Sequence, residues 1–213
     1  MTLTDPATTA PAADTADDGE LVVRARQGDA LAQEVLARRH RRGAFLFALQ
    51  LLGNRDDAMD VAQDAMLRFF TTLDRFDPRR PVKPWLFQIV RNRVHDLHRR
   101  RKVRKHDSLD DVDEDGQRFE LPDDSVDPER DAARAQLRIR LWQSLGELSD
   151  AQREILVLRD YQDLTYAEIA EALDIPIGTV MSRLHGARKK LRDLVADDLR
   201  AIVAHRPGPV SQP

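Results

Sequence analysis

Apolar residues recur along this chain at spacings of three and four, which is the period of an amphipathic helix. Two of these stripes are Ala58, Val61, Ala65, Phe69, Leu73 and Phe76 in the first half, and Leu137, Leu141, Leu145 and Leu148 in the second. No segment of useful length alternates apolar and polar residues as a half-buried strand does. The pattern therefore predicts an all-α protein built from two small helical domains.

Capping residues and helix breakers predict four helices in the first half, over residues 20–27, 29–52, 56–76 and 83–105. Asp29 and Asp56 are expected to cap the second and third of these, because a short carboxylate accepts hydrogen bonds from the free N–H groups of the first turn. Gly28 ends the first helix and Gly53 the second, while the sequence DPRRP at 77–81 predicts a turn.

Two capping boxes mark helix starts in the second half. In Ser149 with Gln152, and in Thr165 with Glu168, each side chain can accept from the other residue's backbone N–H. After the second box, DIP at 174–176 predicts a tight turn, and a further helix is expected from about Gly178. The two helices and their turn have the layout of a helix-turn-helix.

Charge divides the chain more sharply than its near-neutral total suggests. The formal net charge is only −3, yet residues 79–105 hold eleven Lys or Arg against one acid, and residues 107–131 hold twelve acids against two Arg. The acidic segment also lacks a sustained apolar period, so residues 106–132 are predicted to be a flexible linker. Domains are then expected at 20–105 and 133–199, with a disordered tail at 1–19 and a flexible tail at 200–213.

Composition and motifs disfavour several classes of protein. The chain has no cysteine, and its six histidines form no HExxH motif. His95 and His98 are spaced to share a metal ion, but a solvated helix face explains them more simply among so many cations. With no glycine-rich phosphate loop and no nucleophile elbow, an α-helical enzyme is disfavoured, and no cofactor, metal or catalytic residue is expected. No signal peptide or membrane-spanning run is evident, so a cytoplasmic protein without membrane insertion is expected.

The last helix of the helix-turn-helix has one apolar face and one polar face. Val180, Leu184, Ala187, Leu191 and Leu194 form a stripe that must face a core. The opposite side and the flanks then carry the candidate contacts to a DNA major groove and its phosphates, which are Thr179, Ser182, Arg183, His185, Arg188, Lys189 and Lys190. The alternative is a helical hairpin whose basic end is merely solvated, which the capping boxes and the complete stripe disfavour.

A second candidate site lies on helix 83–105. Trp85, Gln88 and Asn92 fall on one face, where an aromatic ring can stack on an unpaired base and amides can pair with base edges. For Trp85 the alternative is a place in the core, which the sequence alone favours.

Helix 56–76 carries an acidic face of its own. Asp57, Asp60 and Asp64 share one side, with Gln63 adjacent and Arg68 one turn on. An exposed acidic stripe suits a basic partner helix, although an ordinary solvated face would explain Asp57 and Asp60 nearly as well.

Four motifs in order give the chain a family resemblance. DVAQDA from Asp60, LDRF from Leu73, PWLFQIVRN from Pro84 and GTVMSRL from Gly178 resemble extracytoplasmic-function (ECF) sigma factors, the smallest promoter-recognition subunits of bacterial RNA polymerase. The similarity covers about residues 20–105, which resemble sigma region 2, and 133–195, which resemble region 4. This resemblance implies a dissociable initiation factor that binds promoter DNA and helps to open it.

The resemblance also implies a role for each candidate face. The acidic helix would dock on the clamp helices of the largest subunit of core RNA polymerase, through Asp57, Asp60, Gln63, Asp64 and Arg68, and the flap would be a further contact. The loop from Phe76 to Lys83 and the helix after it would recognise and melt the minus-10 element, with Phe76, Lys83, Trp85, Gln88, Arg91, Asn92, Arg99 and Arg100 as candidates. The last helix would read the minus-35 element, and an anti-sigma factor is a further candidate partner.

Two positions depart from the family pattern, and one other class of protein stays open. Met181 and Gly186 stand where similar proteins commonly carry basic residues, so the minus-35 preference of relatives does not transfer directly. A self-sufficient regulator of the LuxR type would carry a similar helix-turn-helix domain. Its receiver or sensing domain would show α/β alternation, however, which the first half of this chain lacks.

Overall fold

The computed structural model describes residues 15–107 and 132–204. Within these ranges all regular elements are helical, which confirms the predicted all-α class. In chain order the helices are α1 (Asp18–Arg26), α2 (Ala30–Leu52), α3 (Arg55–Thr71), a 3-10 turn (Leu73–Arg75), α4 (Val82–Asp107), α5 (Ala132–Gly146), α6 (Asp150–Asp160), α7 (Tyr166–Leu173) and α8 (Ile177–Ala204). The predicted acidic linker lies almost wholly outside the described residues. The predicted C-terminal tail begins too early, because α8 continues to Ala204, and its remainder lies outside the described residues.

Most helix ends lie where the local sequence predicts them. The Asp29 carboxylate accepts from the N–H groups of Leu31 and Ala32 at 3.0 and 3.2 Å, so it caps α2. Gly53 ends that helix in the left-handed conformation, at φ 69°, and its N–H donates to the carbonyl of Leu49. Both capping boxes of the second half are present as well.

The start of α3 corrects a prediction. Its cap is Asn54 and not Asp56, because the Asn54 side chain accepts from the N–H of Asp57 at 3.0 Å. The helix also ends at Thr71, before the predicted end at Phe76, and a short 3-10 turn follows. The Thr72 hydroxyl donates to the carbonyl of Arg68 at 2.7 Å, and this helix-end carbonyl also accepts from the Thr72 N–H at 3.0 Å.

The predicted disordered tail extends too far along the chain. Residues 1–14 lie outside the described range, but α1 already begins at Asp18. The Asp17 side chain caps it by accepting from the N–H of Glu20 at 2.8 Å. Residues 17–19 are therefore structured, although their composition resembles that of the tail.

The first domain is a bundle in which α2, α3 and α4 surround a common core. Phe47, Phe69 and Phe87 are among its largest fully buried side chains, one from each helix. The rings of Phe47 and Phe87 lie 5.0 Å apart between centroids, which ties α2 to α4.

The second domain is formed by α5 to α8. Leu145, Ile155, Leu158 and Leu184 are buried in its core. The turn between α7 and α8 passes through Asp174 in the left-handed conformation, at φ 54°. This residue lets the chain reverse so that α8 crosses α7 as the second helix of a helix-turn-helix.

The two domains pack directly against each other, which the sequence did not predict. Arg153 of α6 is only 3% exposed, and its guanidinium donates to the carbonyl of Leu51, at the end of α2, at 2.8 Å. The buried carboxylate of Glu154 accepts from Arg91 Nε at 2.9 Å and lies 2.6 Å from His95 Nε2, both on α4. Arg80 and Glu171 form a further ion pair across this boundary.

Candidate nucleic-acid and polymerase interfaces

Helix α8 carries a sharply divided surface. Val180, Leu184 and Ala187 are buried against the second domain, and Leu191 and Leu194 are half-buried at its edge. The predicted groove-facing side chains are exposed, namely Ser182, Arg183, His185, Arg188, Lys189 and Lys190, while Thr179 is half-buried. The apolar stripe alone predicted which side of this helix faces solvent.

The cations of α8 are not equally available to phosphates. Arg188 forms an ion pair with Asp160 of α6, and the hydrogen bond from Arg188 Nε to Oδ2 is 3.2 Å long. Hydrogen bonding to Asp160 is also the main cause that raises the pKa of Arg188. Lys190 donates to the carbonyl of Glu147 at 3.3 Å. Arg188 and Lys190 thus have partners within the protein, which the helical pattern did not predict.

Two apolar side chains stand on the exposed side of α8. Met181 is 53% exposed and Ile177 is 47% exposed. Gly186 lies on the same side, and a Cβ atom added there would meet no atom within 4 Å. The positions of Met181 and Gly186 therefore open onto solvent, and a Cβ atom at Gly186 has room around it.

The aromatic residues near the start of α4 form a stack. The Trp85 ring lies 4.6 Å from that of Phe76 at an angle of 20°, and 5.2 Å from that of Phe69. Phe76 is only 6% exposed, which corrects its assignment as a DNA contact, because its ring supports Trp85 from inside the bundle. Trp85 itself is half-buried, so it both packs on the core and keeps an exposed edge.

The other minus-10 candidates all lie on α4, with Lys83 in its first turn. Gln88 is half-buried and Asn92 is exposed one turn further on, so the predicted polar face exists. Lys83 and Arg100 are exposed, whereas the exposed Arg99 pairs with Asp96 at 2.6 Å.

One candidate from each DNA site lines the same cleft between the domains. Arg91 of α4 and Arg183 of α8 border an open space of about 340 Å³, together with His95, His98, Glu154 and Leu173. Glu154 holds Arg91 and His95 from one side. Burial lowers the pKa of His98, whose Nδ1 lies 4.0 Å from Asp150 Oδ2. Sequence spacing could not show this juxtaposition, because 92 positions separate the two arginines in the numbering.

Helix α3 presents the predicted acidic face, with one difference. Asp60, Gln63, Asp64 and Arg68 are exposed. Asp57 is instead half-buried, and its carboxylate accepts from Arg101 of α4 at 2.6 Å. It therefore joins two helices of the bundle.

The side of α3 that adjoins the acidic face carries two exposed apolar residues that sequence reasoning missed. Met59 is 50% exposed and Leu67 is 60% exposed, and with Gln63 they are spaced by one turn each. The signal was present in the sequence, since both residues lie outside the apolar stripe that faces the core. Two exposed apolar side chains do not by themselves mark an interface, but here they adjoin the acidic face.

Within the described ranges, no three His, Cys, Asp or Glu side chains are grouped so that they could hold a metal ion. In the same ranges, no helix is long and apolar enough to cross a membrane.

Comparison with known proteins identifies the family. The Sigma-70 region 2 model matches residues 36–104, and the Sigma-70, region 4 model matches residues 138–191. The ECF RNA polymerase sigma factor SigW of Bacillus subtilis is 32% identical over 150 residues, which are 70% of this chain and 80% of that protein. The RNA polymerase sigma factor NccH of Alcaligenes xylosoxydans is 35% identical over 179 residues, which are 84% and 94% of the two chains. The chain belongs to the ECF sigma factors.

Solved structures agree with this assignment. CnrH, solved in complex with the cytosolic domain of CnrY, is 29% identical with a TM-score of 0.64, over 85% of this ECF sigma factor and 98% of CnrH. RpoE of Bartonella quintana, solved with the anti-sigma factor NepR, shares the fold with a TM-score of 0.61 at 24% identity, over 76% and 96% of the two chains. This ECF sigma factor is therefore a transcription initiation factor that binds RNA polymerase and promoter DNA, and the LuxR-type alternative is set aside.

Proposed function

We propose that three surfaces of this sigma factor bind three different partners. Helix α8 reads the minus-35 element, α4 with the loop 76–83 binds the minus-10 element, and α3 docks on the polymerase clamp. The observation that carries the proposal is the split surface of α8, with Val180, Leu184 and Ala187 buried and the opposite side exposed. A helix of this kind fits the major groove, where base edges can be distinguished.

At the minus-35 element, the cations Arg183 and Lys189 and the imidazole of His185 extend from the exposed side of α8. Met181 and Ile177 add an apolar surface that suits the methyl group of thymine. Because Arg188 and Lys190 already have partners within the protein, they serve as secondary phosphate contacts once DNA competes for them.

At the minus-10 element, melting requires bases to leave the stack at a cost of a few kcal/mol each. The exposed edge of Trp85 offers a stacking surface worth roughly 1 to 3 kcal/mol, and the amides of Gln88 and Asn92 offer hydrogen bonds to base edges. Lys83 and Arg100 neutralise nearby phosphates. Binding of the unpaired strand thus offsets part of the melting cost, and the protein contributes no catalysis of its own.

On the polymerase side, the acids and amide of α3 suit a basic partner helix, and Met59 and Leu67 supply apolar area to the same contact. Apolar area gives affinity, whereas the acids favour the correct orientation. The second domain would reach the flap, and in this assembly the factor would be associated with the nucleoid.

The packed domains must separate before both promoter elements can be bound. The names minus-10 and minus-35 imply centres about 25 base pairs apart, which is about 85 Å along a duplex at about 3.4 Å per pair. Arg91 and Arg183, proposed for different elements, instead line one cleft. The described arrangement is therefore a closed state of the free factor, and binding to polymerase would open it.

A regulatory protein is a further proposed partner. CnrH was solved with the cytosolic domain of CnrY, and RpoE with the anti-sigma factor NepR. We propose that an anti-sigma factor likewise holds this chain. The anti-sigma factor and core polymerase would then compete for this protein. Copurification of the tagged protein from its host, with and without excess core polymerase, would test this. A partner that polymerase fails to displace would contradict the competition.

Transcription in vitro from a randomised promoter pool tests this division of work. Core polymerase is supplied with the sigma factor and DNA randomised at both elements, and the sequences that yield transcripts are read. Arg183→Gln should reduce the base preference at the minus-35 element only. Asn92→Ala should reduce the base preference at the minus-10 element only. The double variant Asp60→Asn, Asp64→Asn should weaken binding to core polymerase. Arg41→Gln removes an exposed cation of α2 and is the control. Equal flattening at both elements by either DNA-face variant would refute the proposal.

A further inference from the structure

Helix α1 lies outside the segment that matches Sigma-70 region 2, which begins at residue 36, yet it packs on the proposed minus-10 loop. Gly19 faces the backbone of this loop at Pro78. A Cβ atom built on Gly19 would overlap the carbonyl oxygen of Pro78 and lie 3.4 Å from its carbon. Because the obstacle is backbone and not a flexible side chain, only glycine permits this approach.

Arg26, at the other end of α1, holds the start of the same loop. Its guanidinium donates to the carbonyl of Leu73 through Nε at 3.0 Å and Nη2 at 2.8 Å, and Nη2 also donates to the carbonyl of Phe76. Those carbonyls flank the turn that leads into the loop. A planar guanidinium can hold two backbone groups in a fixed relation, which a lysine ammonium cannot do equally well.

Helix α1 is itself fixed to the bundle. The Asp18 carboxylate accepts from Arg39 Nη1 at 2.9 Å and lies 2.7 Å from Nε2 of His40, which is buried in α2. The anchor at Asp18 adjoins the contact at Gly19. A continuous series of contacts therefore runs from the core of the first domain, through α1, to the loop.

From this geometry we propose that Gly19 and Arg26 are positioning residues for minus-10 recognition. They hold loop 76–83 in one conformation before DNA arrives, so binding does not have to order it. Base discrimination at the unpaired minus-10 strand depends on that fixed shape, whereas core binding and minus-35 reading do not. The inference rests on the proposed role of the loop and extends it to a helix outside the matched region.

The test uses holoenzyme and a pool of forked DNA with a duplex minus-35 half and a randomised unpaired minus-10 strand. Gly19→Ala forces Pro78 away and should reduce the preference between best and worst bases by about tenfold, which corresponds to the loss of about one base contact. Core affinity and the enrichment at minus-35 should be unchanged. Gly43→Ala is the matched control, because its Cβ would meet nothing closer than 3.6 Å.

Arg26→Gln is the second variant, since it leaves room for the backbone and removes the paired hydrogen bonds. Arg26→Lys keeps the charge and should rescue the preference only in part. Melting temperatures identify any variant that fails to fold. If Gly19→Ala is unstable, Arg26→Gln alone tests whether α1 positions the loop. A purely structural role would lower stability without flattening base preference, and that result would overturn the proposal.

A direct loop variant separates this inference from the proposed function. Replacement of residues 79–81 by glycine disrupts the loop itself. If that variant flattens the minus-10 preference while Gly19→Ala and Arg26→Gln do not, the positioning role is wrong and the loop assignment stands. If none of the three changes the preference, the loop assignment is wrong and the positioning role falls with it.

Discussion

Replacement of Arg153 by methionine should be among the most damaging substitutions in this protein. The guanidinium donates to the carbonyls of Leu145 and Gly146 at 2.8 Å, of Leu148 at 3.1 Å, and of Leu51 in the other domain at 2.8 Å. Three of the four acceptors lie in the last turns of α5 and α2, where carbonyls have no partner within the helix. Burial lowers the pKa of Arg153, as expected for a cation withdrawn from water.

The magnitude follows from the orphaned acceptors. A buried polar group left without its partner costs roughly 1 to 3 kcal/mol, and three of these four hydrogen bonds are fully buried. The Leu145 carbonyl keeps the Leu148 N–H at 3.3 Å, so the carbonyls of Leu51 and Leu148 account for most of the loss. Methionine fills most of the space but donates nothing, and water can reach part of the opened site. We therefore expect a loss of about 3 to 5 kcal/mol, a large part of the roughly 5 to 15 kcal/mol that holds a domain folded.

Urea unfolding measures this loss domain by domain. Trp85 lies in the first domain and Trp142 in the second, so variants that keep one tryptophan report each domain by fluorescence. Arg159→Met is the control, because Arg159 makes a hydrogen bond to the carbonyl of Leu164 at 2.8 Å and is less buried. A loss below about 1 kcal/mol for Arg153→Met, or one no larger than that of the control, would refute the reasoning.

Three further predictions concern acid stability, the closed state and promoter choice. A hydrogen bond with His40 is the main cause that lowers the pKa of Asp18, so this carboxylate stabilises the fold above its ordinary value of 3.8, and the stabilisation is lost as the pH falls through the lower folded value. The free energy of unfolding, measured in urea, should therefore depend less on pH in the acid range for Asp18→Asn than for the unsubstituted protein. An unchanged pH dependence would contradict this. Glu154→Gln should loosen the hold on Arg91 and increase the affinity of the free protein for single-stranded DNA, as measured by fluorescence anisotropy; equal or weaker binding would count against the closed state. Gly186→Arg should not lower the melting temperature and should raise it slightly, because the site is open and arginine favours a helix interior more than glycine does. The same variant should alter which minus-35 sequences yield transcripts, and an unaltered promoter profile would show that Gly186 does not lie on the DNA-reading surface.

The periodicity of the sequence was sufficient to predict where the helices lie and which of their faces are buried. The stripe from Val180 to Leu194 predicted which side of α8 is buried, and the capping boxes at Ser149 and Thr165 predicted where two helices begin. These features are local, since a helix brings residues three and four positions apart together whatever the rest of the chain does. The family motifs are local in the same sense, and for that reason they identified both domains.

Pairings between distant segments needed the tertiary structure. Phe76 stacks on Trp85, Asp57 pairs with Arg101, and Arg188 pairs with Asp160. Each of these contacts occupies a side chain that the sequence pattern had assigned to DNA or to polymerase. The error at residues 17–19 has this origin only in part, because the Asp17 cap is local, whereas Asp18 and Gly19 contact α2 and the loop.

The sequence by itself determined that this protein is helical, that it has two domains of the ECF sigma factor type, and which helix faces are apolar. Only the tertiary structure decided that the domains close on each other through Arg153 and Glu154, and that Gly19 supports a loop nearly 60 residues away. The physical reason is that helix formation depends on neighbours along the chain, whereas a buried guanidinium or a glycine without room for a Cβ is defined by atoms that approach it from elsewhere in the fold.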